Sequence, residues 1–150
     1  MNINEYIEKR VDDQIEWYDK KSLEAQKRYK WLQTIEIIIA SFIPLLSGYA
    51  GHKYIAFIIG LFGSIIAIIE SISKLNKYHE NWIQYRMTCE MLRYQKHLFL
   101  TDSAPYNTED ETIENIFVRN IENIISSENN QWKNINSMQE EAAKNNSSAN

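Results

Sequence analysis

The stretch "YIAFIIGLFGSIIAIIE", Tyr54–Glu70, has no charged side chain before its last residue, and Ser64 is the one clearly polar side chain in between. A helix in a small soluble domain keeps a charged stripe toward water, and this stretch has none. A second apolar run, "IIIASFIPLLSGYA" (Ile37–Ala50), comes three residues earlier. We therefore predict two membrane-spanning helices, about 32–50 and 54–70, that form a tight hairpin.

Length is the main objection to this interpretation. Each apolar run is about 21 to 24 Å long as a helix, whereas the hydrocarbon core of a bilayer is about 30 Å thick. Aromatic residues near the ends of the runs suit the membrane interface, and short spans can thin the bilayer: Tyr29, Trp31, Tyr49 and Tyr54. The alternative is a hairpin buried inside a soluble helical bundle, although a chain of 150 residues has little other material to surround it.

Composition favours an all-α protein and excludes some classes of function. Gly (4) and Pro (2) are scarce among the 150 residues, which disfavours a many-turned β fold. The net charge of −4 argues against nucleic-acid binding, which needs a basic face. The single cysteine, Cys89, cannot form an internal disulfide, and the N-terminal stretch lacks the apolar core of a signal peptide. We expect the soluble part to lie in the cytoplasm.

Basic residues cluster beside the predicted spans and predict their orientation. Five precede the first span, Lys20, Lys21, Lys27, Arg28 and Lys30, and four follow the second, Lys74, Lys77, Arg86 and Arg93. The connecting loop has only His52 and Lys53, so we expect both termini on the cytoplasmic side of a bacterial inner membrane. The five basic residues before the first span either bind anionic lipid headgroups or only set the topology, and the second interpretation is the simpler one.

Heptad spacing predicts cytoplasmic helices on both sides of the hairpin. Val11, Tyr18, Ala25 and Leu32 predict an amphipathic helix over about 4–31. A seam of coiled-coil type follows the second span over about 71–100, interrupted at Lys96: Leu75, Tyr78, Trp82, Tyr85, Cys89, Leu92 and Phe99. Because neither Gly nor Pro occurs between Ser64 and Leu100, we predict one continuous helix from about 54 to 100.

A third cytoplasmic helix is predicted over about 108–138. The stretch "TDSAPYNTED" breaks the preceding helix, and Thr108 with Glu111 resembles a capping box. The apolar positions of this helix should pack against the first two cytoplasmic helices as a short bundle: Ile113, Phe117, Ile121, Ile124, Trp132, Ile135 and Met138. Residues 1–140 should form a single domain, and 141–150 a disordered tail.

We find no catalytic or metal-binding pattern, and we expect neither an enzyme nor a cofactor. The three histidines, His52, His79 and His97, lack metal-ligand spacing, and no glycine-rich phosphate loop or glycine-flanked serine occurs. Cys89 occupies a seam position, which favours a buried, inert thiol.

Small and weakly polar residues line one face of each predicted span. On the first span, Ala40 and Ser47 share a face with Glu36, and on the second span the stripe is Gly60, Ser64, Ala67 and Ser71. Such residues usually allow helices to pack closely. The functional alternative is that, after self-association, they line a water-filled path with Glu36 favouring cations at its inner mouth. Pro44 fits either interpretation, because it leaves a backbone carbonyl free in mid-span.

The chain resembles the SLATT superfamily, the SMODS- and SLOG-associating two-transmembrane effector domains, and most closely a subgroup catalogued as a bacterial domain of unknown function. The resemblance extends from about Glu8 to Trp132 and rests on "QIEWYDKKSLEAQKRYKWLQ", "HENWIQYRMTCEMLRYQKHLFL" and "APYN". The pattern that carries it is Trp17, Tyr18, Tyr85, Arg86, Glu90 and Tyr106.

The resemblance implies a bacterial membrane effector of conflict or anti-phage defence systems. Such an effector would form homo-oligomers and permeabilise the membrane when a separate nucleotide-signal or sensor protein triggers it. Six residues are then candidate trigger contacts or packing residues: Trp17, Tyr18, Trp82, Tyr85, Arg86 and Glu90. The alternative is a non-conducting membrane anchor or scaffold whose helical bundle recruits a partner.

Overall fold

A computed structural model of the chain describes residues 2–49, 51–107 and 113–127. All regular elements in these ranges are helical, and no strand occurs in them, so the all-α prediction is confirmed. The first helix, α1, runs over Ile3–Ser47. Its first turns include a π-helical stretch at Ile7–Asp12, which the sequence did not indicate.

The second helix, α2, covers Lys53–Leu100 in two segments, Lys53–Asn76 and Tyr78–Leu100. The described part of the third helix, α3, covers 113–127. The predicted capping box at Thr108 and Glu111 lies outside the described residues. So do the predicted core positions Trp132, Ile135 and Met138 and the predicted tail at 141–150.

The prediction of one continuous helix from 54 to 100 is wrong at Lys77. This residue has a left-handed backbone (φ 48°, ψ 39°), which costs a non-glycine residue about 1 kcal/mol or more. Two asparagine side chains bond carbonyls around the break: Asn76 Nδ2 donates to Ile72 O at 2.9 Å, and Asn81 Nδ2 donates to Asn76 O at 3.1 Å. These bonds satisfy backbone acceptors at the interruption.

The break also changes which seam residues are covered. Leu75, before Lys77, is 82% exposed, so its predicted place in the seam is wrong. After the break, the predicted positions are covered: Cys89 and Leu92 are buried, and Trp82, Tyr85 and Phe99 are half-buried. A single left-handed residue changes the direction of the helix axis and the face on which the following side chains lie. This explains why the heptad positions before and after Lys77 differ in coverage.

The chain divides into two compact units. Unit 1 comprises Met1–Tyr18 and Met87–Asn150, and unit 2 comprises Asp19–Arg86. Nearly all buried apolar residues of the described chain belong to unit 1, and its side chains with almost no exposure are Val11, Tyr18, Cys89, Leu92, Tyr106, Phe117 and Ile121. In unit 2, the only buried hydrophobic residue among those described is Ala25.

The core of unit 1 is built around the ring of Phe117 on α3. It stacks on Phe99 with ring centroids 4.3 Å apart and meets the edges of Tyr106 at 5.8 Å and Tyr6 at 6.4 Å. The prediction that α3 packs against the helices on both sides of the hairpin is therefore confirmed for the described part. The buried positions differ in part from those predicted: Ile125 is buried (6% exposed), whereas the predicted Ile113 and Ile124 are only half-buried.

Candidate functional site: an exposed apolar hairpin

Unit 2 contains two apolar helical segments in which no described residue is buried. Their 18-residue windows have mean hydropathies of 1.3 in α1 and 2.4 in α2, and no residue of either window is buried. Both helices are thus long and apolar enough to cross a membrane. The alternative of a hairpin enclosed by its own soluble bundle does not match this exposure, because burial by neighbouring side chains is what a soluble core requires.

Contacts within unit 2 make the two helices antiparallel. Arg86 Nη1 lies 3.1 Å from Asp19 Oδ1, and the ring of Tyr29 lies 4.9 Å from His79 and 6.4 Å from Trp82. Residues further along α1 therefore meet residues earlier in α2. This is the pairing of a helical hairpin whose connection lies between Ser47 and Lys53.

Large residues, rather than small ones, occupy the partly covered face of the second apolar segment. The half-buried apolar positions in this segment are Ile55, Ile59, Phe62, Ile65, Ile66 and Ile69. All four members of the predicted small-residue stripe, Gly60, Ser64, Ala67 and Ser71, are exposed. A Cβ added at Gly60 would meet no atom from another part of the chain within 4 Å. The missing side chain at Gly60 is therefore not used for a close helix contact within the chain.

The hydroxyls of this stripe bond to their own helix. Ser64 Oγ donates to Gly60 O at 3.0 Å, and Ser71 Oγ donates to Ala67 O at 2.7 Å. Each hydroxyl proton is thereby satisfied without water, while the oxygen keeps acceptor capacity on the exposed side. The stripe is therefore compatible with a lipid environment, and it also presents a row of oxygen atoms that can accept weak hydrogen bonds.

The candidate residues of the first apolar segment are arranged less uniformly. Ala40 and Ser47 are exposed, and Glu36 is half-buried with Gln33 Nε2 donating to its carboxylate at 3.4 Å. Ser47 Oγ donates to the carbonyl of Pro44, which lies inside the helix. The residues of the predicted Glu36 face thus have their own partners or lie open at the surface.

The candidate trigger residues fall into both units. In unit 1, Trp17 is 45% exposed and contacts the buried ring of Tyr18 edge-on at 4.9 Å, while Glu90 lies 3.3 Å from Arg93. In unit 2, Arg86 pairs with Asp19.

Two further trigger candidates, Tyr85 and Trp82, are half-buried in unit 2. The six candidate trigger residues therefore include both residues that pack against neighbours and residues that are exposed. Of the whole set, Trp17 presents the largest exposed apolar ring.

A polar cluster in unit 1 was missed by sequence reasoning. The Glu122 carboxylate of α3 accepts from Arg10 Nε and Nη2, both at 3.1 Å, and from Tyr6 Oη at 2.9 Å. The hydrogen bond from Arg10 lowers the pKa of Glu122 and raises that of Arg10. Burial, with the hydrogen bond to Glu122, raises the pKa of Tyr6 far above its usual value. In the sequence, the only signal for this polar cluster was the i, i+4 spacing of Tyr6 and Arg10, which puts their side chains on one face of a helix.

Two other polar contacts join the elements of unit 1. Lys96, which interrupts the apolar seam, forms an ion pair with Asp12 of α1. Tyr106, which is 1% exposed, donates its hydroxyl to Gln95 Oε1 and accepts from Asn120 Nδ2 at 2.9 Å. Within ranges 2–49, 51–107 and 113–127, no cluster of His, Cys, Asp or Glu is arranged to hold a metal ion.

Comparison with protein families shows which family the chain belongs to. Residues 13–114 match a family described as "Protein of unknown function (DUF4231)", a range that includes both apolar segments and Tyr106. No curated protein and no solved structure matches the chain. Since the match covers more than half of the sequence, the chain belongs to the DUF4231 family of proteins of unknown function.

Proposed function

We propose that this protein is a bacterial inner-membrane effector of a conflict or anti-phage defence system, which self-assembles into a pore that permeabilises the membrane. The proposal extends the DUF4231 assignment to the SLATT superfamily, on the resemblance of the motifs around Trp17, Arg86 and Tyr106. Membrane lipid and further copies of the chain are its direct partners. A separate nucleotide-signal or sensor protein supplies the trigger.

The observation that carries the pore proposal is the exposed stripe at Gly60, Ser64, Ala67 and Ser71. Within the chain, larger residues occupy the partly covered face, so the stripe is free to meet other copies. Small residues let helices approach closely, and the hydroxyl oxygens of Ser64 and Ser71 offer acceptors to a hydrated cation. Glu36 adds one negative charge at the cytoplasmic end.

The uncovered apolar surface supports the membrane location. Unit 2 buries a single described hydrophobic residue, Ala25, so water is a poor solvent for it. Basic residues flank both apolar segments on the side away from the short connection. By the positive-inside rule, both termini then lie in the cytoplasm.

Self-assembly has a second candidate surface in unit 1. Met87 (60% exposed), Met91 (49%) and Tyr94 (61%) recur at spacings of four and three on one face of α2. This face lies roughly opposite the buried Cys89 and Leu92, given about 100° per residue. Exposed apolar residues at this spacing are typical of helix pairing.

The same face supports a second candidate function, a non-conducting anchor or scaffold. In that case Met87, Met91 and Tyr94 bind a separate partner, and the stripe at Ser64 only packs helices. The two functions differ in whether assembled chains pass ions. They also differ in whether the assembly contains one kind of chain.

The test is ion or dye efflux from liposomes, with the number of chains per assembly measured by mass photometry. Efflux that rises with assembly supports the pore, and Ser64→Leu should reduce it at least several-fold without changing the assembled mass. Glu36→Leu should reduce cation flux more than anion flux. Sealed vesicles containing assembled protein under every trigger tried would refute the pore and leave the anchor.

Ser41→Leu is the matched control for these variants. Ser41 is exposed and donates its hydroxyl to Ile38 O at 2.7 Å, as Ser64 does to its own helix. It lies about 140° away from Glu36 around α1, off the predicted pore face. Ser41→Leu should leave efflux unchanged, and an equal loss in both variants would contradict the assignment of the stripe.

A further inference from the structure

Four cations of unit 2 have no ion pair with any described carboxylate. In the described ranges, no carboxylate pairs with Lys27, Arg28 or Lys30 of α1, or with Lys77 of α2. Seven other basic side chains have acidic partners, three of them in the same unit: Lys9, Arg10, Lys21, Lys74, Arg86, Arg93 and Lys96. The unpaired exceptions in the rest of those ranges, Lys20, Lys53 and Arg119, are scattered.

The four cations without an ion pair, Lys27, Arg28, Lys30 and Lys77, belong to neighbouring turns of α1 and α2 in unit 2 and are called the cation collar below. Tyr29, between the first three, contacts His79 at 4.9 Å, two residues after Lys77. These residues of the two antiparallel helices are therefore neighbours at one level of the hairpin.

Nearby carboxylates do not neutralise the collar. Glu24 pairs with Lys21, and Glu36 accepts a hydrogen bond from Gln33. Glu80, on the same helix as Lys77, has no ion pair with a described cation. Like charges at one level of the hairpin repel one another, and anions bound beside them reduce this repulsion.

Aromatic rings mark the depth of the collar. Tyr29 stacks on Trp82 at 6.4 Å, and Lys30 Nζ lies 6.0 Å from the centre of that ring. Trp31, one residue further, is 66% exposed. Tyr and Trp prefer the boundary between hydrocarbon and headgroups. The collar therefore lies at the height where lipid phosphates occur.

We propose that the cation collar binds the phosphate groups of anionic lipids on the inner face of the membrane. This inference rests on the proposed membrane location and adds a ligand that the pore mechanism does not need. If these charges only set topology, their pairing in the folded state is immaterial. Four cations without a described carboxylate partner, at the level of the aromatic residues Tyr29 and Trp82, favour a binding surface over an orientation signal alone.

The experiment compares lipid preference in nanodiscs made of phosphatidylcholine with increasing phosphatidylglycerol. In a Trp17→Phe/Trp132→Phe background, tryptophan quenching by brominated forms of each lipid measures which lipid lies beside the two remaining tryptophans, Trp31 and Trp82. A single basic residue near an anionic surface changes binding by about fivefold. We expect the preference of the native chain for phosphatidylglycerol to fall to near onefold in the variant Lys27→Gln/Arg28→Gln/Lys30→Gln.

A matched variant controls for net charge. Lys9→Gln/Arg93→Gln/Arg119→Gln removes three positive charges from exposed positions of unit 1 and should keep the native preference. An equal loss in both variants, or no preference in the native chain, would overturn the collar assignment. A preference abolished by millimolar inorganic phosphate would assign the collar to free anions instead and would equally overturn it.

Alkaline carbonate extraction of the same samples separates this inference from the membrane proposal. Protein released from the membrane by carbonate contradicts the membrane location itself. Protein that stays in the membrane but shows no lipid preference contradicts only the collar. We expect the collar variant to remain in the membrane, because its apolar segments are unchanged.

Discussion

Replacing Tyr106 with phenylalanine tests the packing of unit 1 most sharply. The hydroxyl of Tyr106 donates to Gln95 and accepts from Asn120, and it thereby joins the second segment of α2, the following loop and α3. The ring stays fully packed in Tyr106→Phe, because only the oxygen is removed. The variant therefore isolates the two hydrogen bonds from the apolar contacts of the ring.

The expected loss of stability is about 2 kcal/mol. Each lost hydrogen bond contributes roughly 0.5 to 1.5 kcal/mol, and a buried partner left without one costs about 1 to 3 kcal/mol. Gln95 and Asn120 are half-buried, so water can partly replace the hydroxyl, which favours the lower part of these ranges. A loss of this size corresponds to about a 30-fold change in the opening equilibrium.

The assay is amide hydrogen exchange of α3, whose opening these bonds oppose. We expect exchange over 113–127 to accelerate about 30-fold in Tyr106→Phe and to stay unchanged in the apolar segments of unit 2. Tyr94→Phe is the control, because Tyr94 is 61% exposed. Equal exchange in the two variants would refute the proposed role of the Tyr106 hydroxyl.

Three further predictions concern charge, backbone conformation and assembly. Arg10 lowers the pKa of Glu122 in the folded state, so the ion pair stabilises the fold fully above about pH 4.3, the pKa of Glu in the unfolded chain. This stabilisation is lost as the pH falls through the lower pKa of Glu122 in the folded state. The difference in unfolding free energy between native protein and Glu122→Gln should therefore shrink in acid denaturation. Lys77→Gly should raise the unfolding free energy by about 1 kcal/mol, since glycine adopts the left-handed conformation without strain, whereas Lys74→Gly, within the helix, should lower it by about 1 kcal/mol in the same melts. Met91→Glu should reduce the assembled mass in mass photometry, because it puts a charge on the exposed apolar face of α2; an unchanged mass would remove that face from the assembly.

The apolar runs and most heptad positions, Leu75 excepted, were predictable from the sequence because each depends on local spacing. Val11, Tyr18, Leu92 and Phe117 are covered as their periodicity indicates, since a helix fixes which residues share a face. The all-α class followed from the same patterns.

The break at Lys77 was not predicted because left-handed residues are usually signalled by glycine or asparagine at the position itself. The neighbouring amides of Asn76 and Asn81, which bond carbonyls at the break, were the available signal. Periodicity continued across the position and concealed the interruption. A heptad pattern records spacing along the chain, and it does not register a single residue that rotates the helix.

The polar contacts between elements needed tertiary structure. Glu122 meets Arg10 across a separation of 112 residues, and no local pattern sets that register. The orientation of the small-residue stripe had the same limitation. Gly60 and Ser64 indicated a helix-packing face. Whether that face meets the other helix of the hairpin depends on how both helices are rotated about their axes.

The most direct test of the central claim is to measure whether lipid or water surrounds the exposed apolar segments. Spin labels attached at Ile58→Cys and Leu61→Cys in a Cys89→Ser background report collisions with oxygen, which concentrates in lipid, and with a nickel chelate, which stays in water. Ile58 is 37% and Leu61 48% exposed in the single chain, and both lie away from the stripe at Gly60 and Ser64 around the helix. Frequent oxygen collisions with few nickel collisions at both sites in bilayers are the predicted result. Frequent nickel collisions, or labels shielded from both reagents, would contradict a hairpin surrounded by lipid.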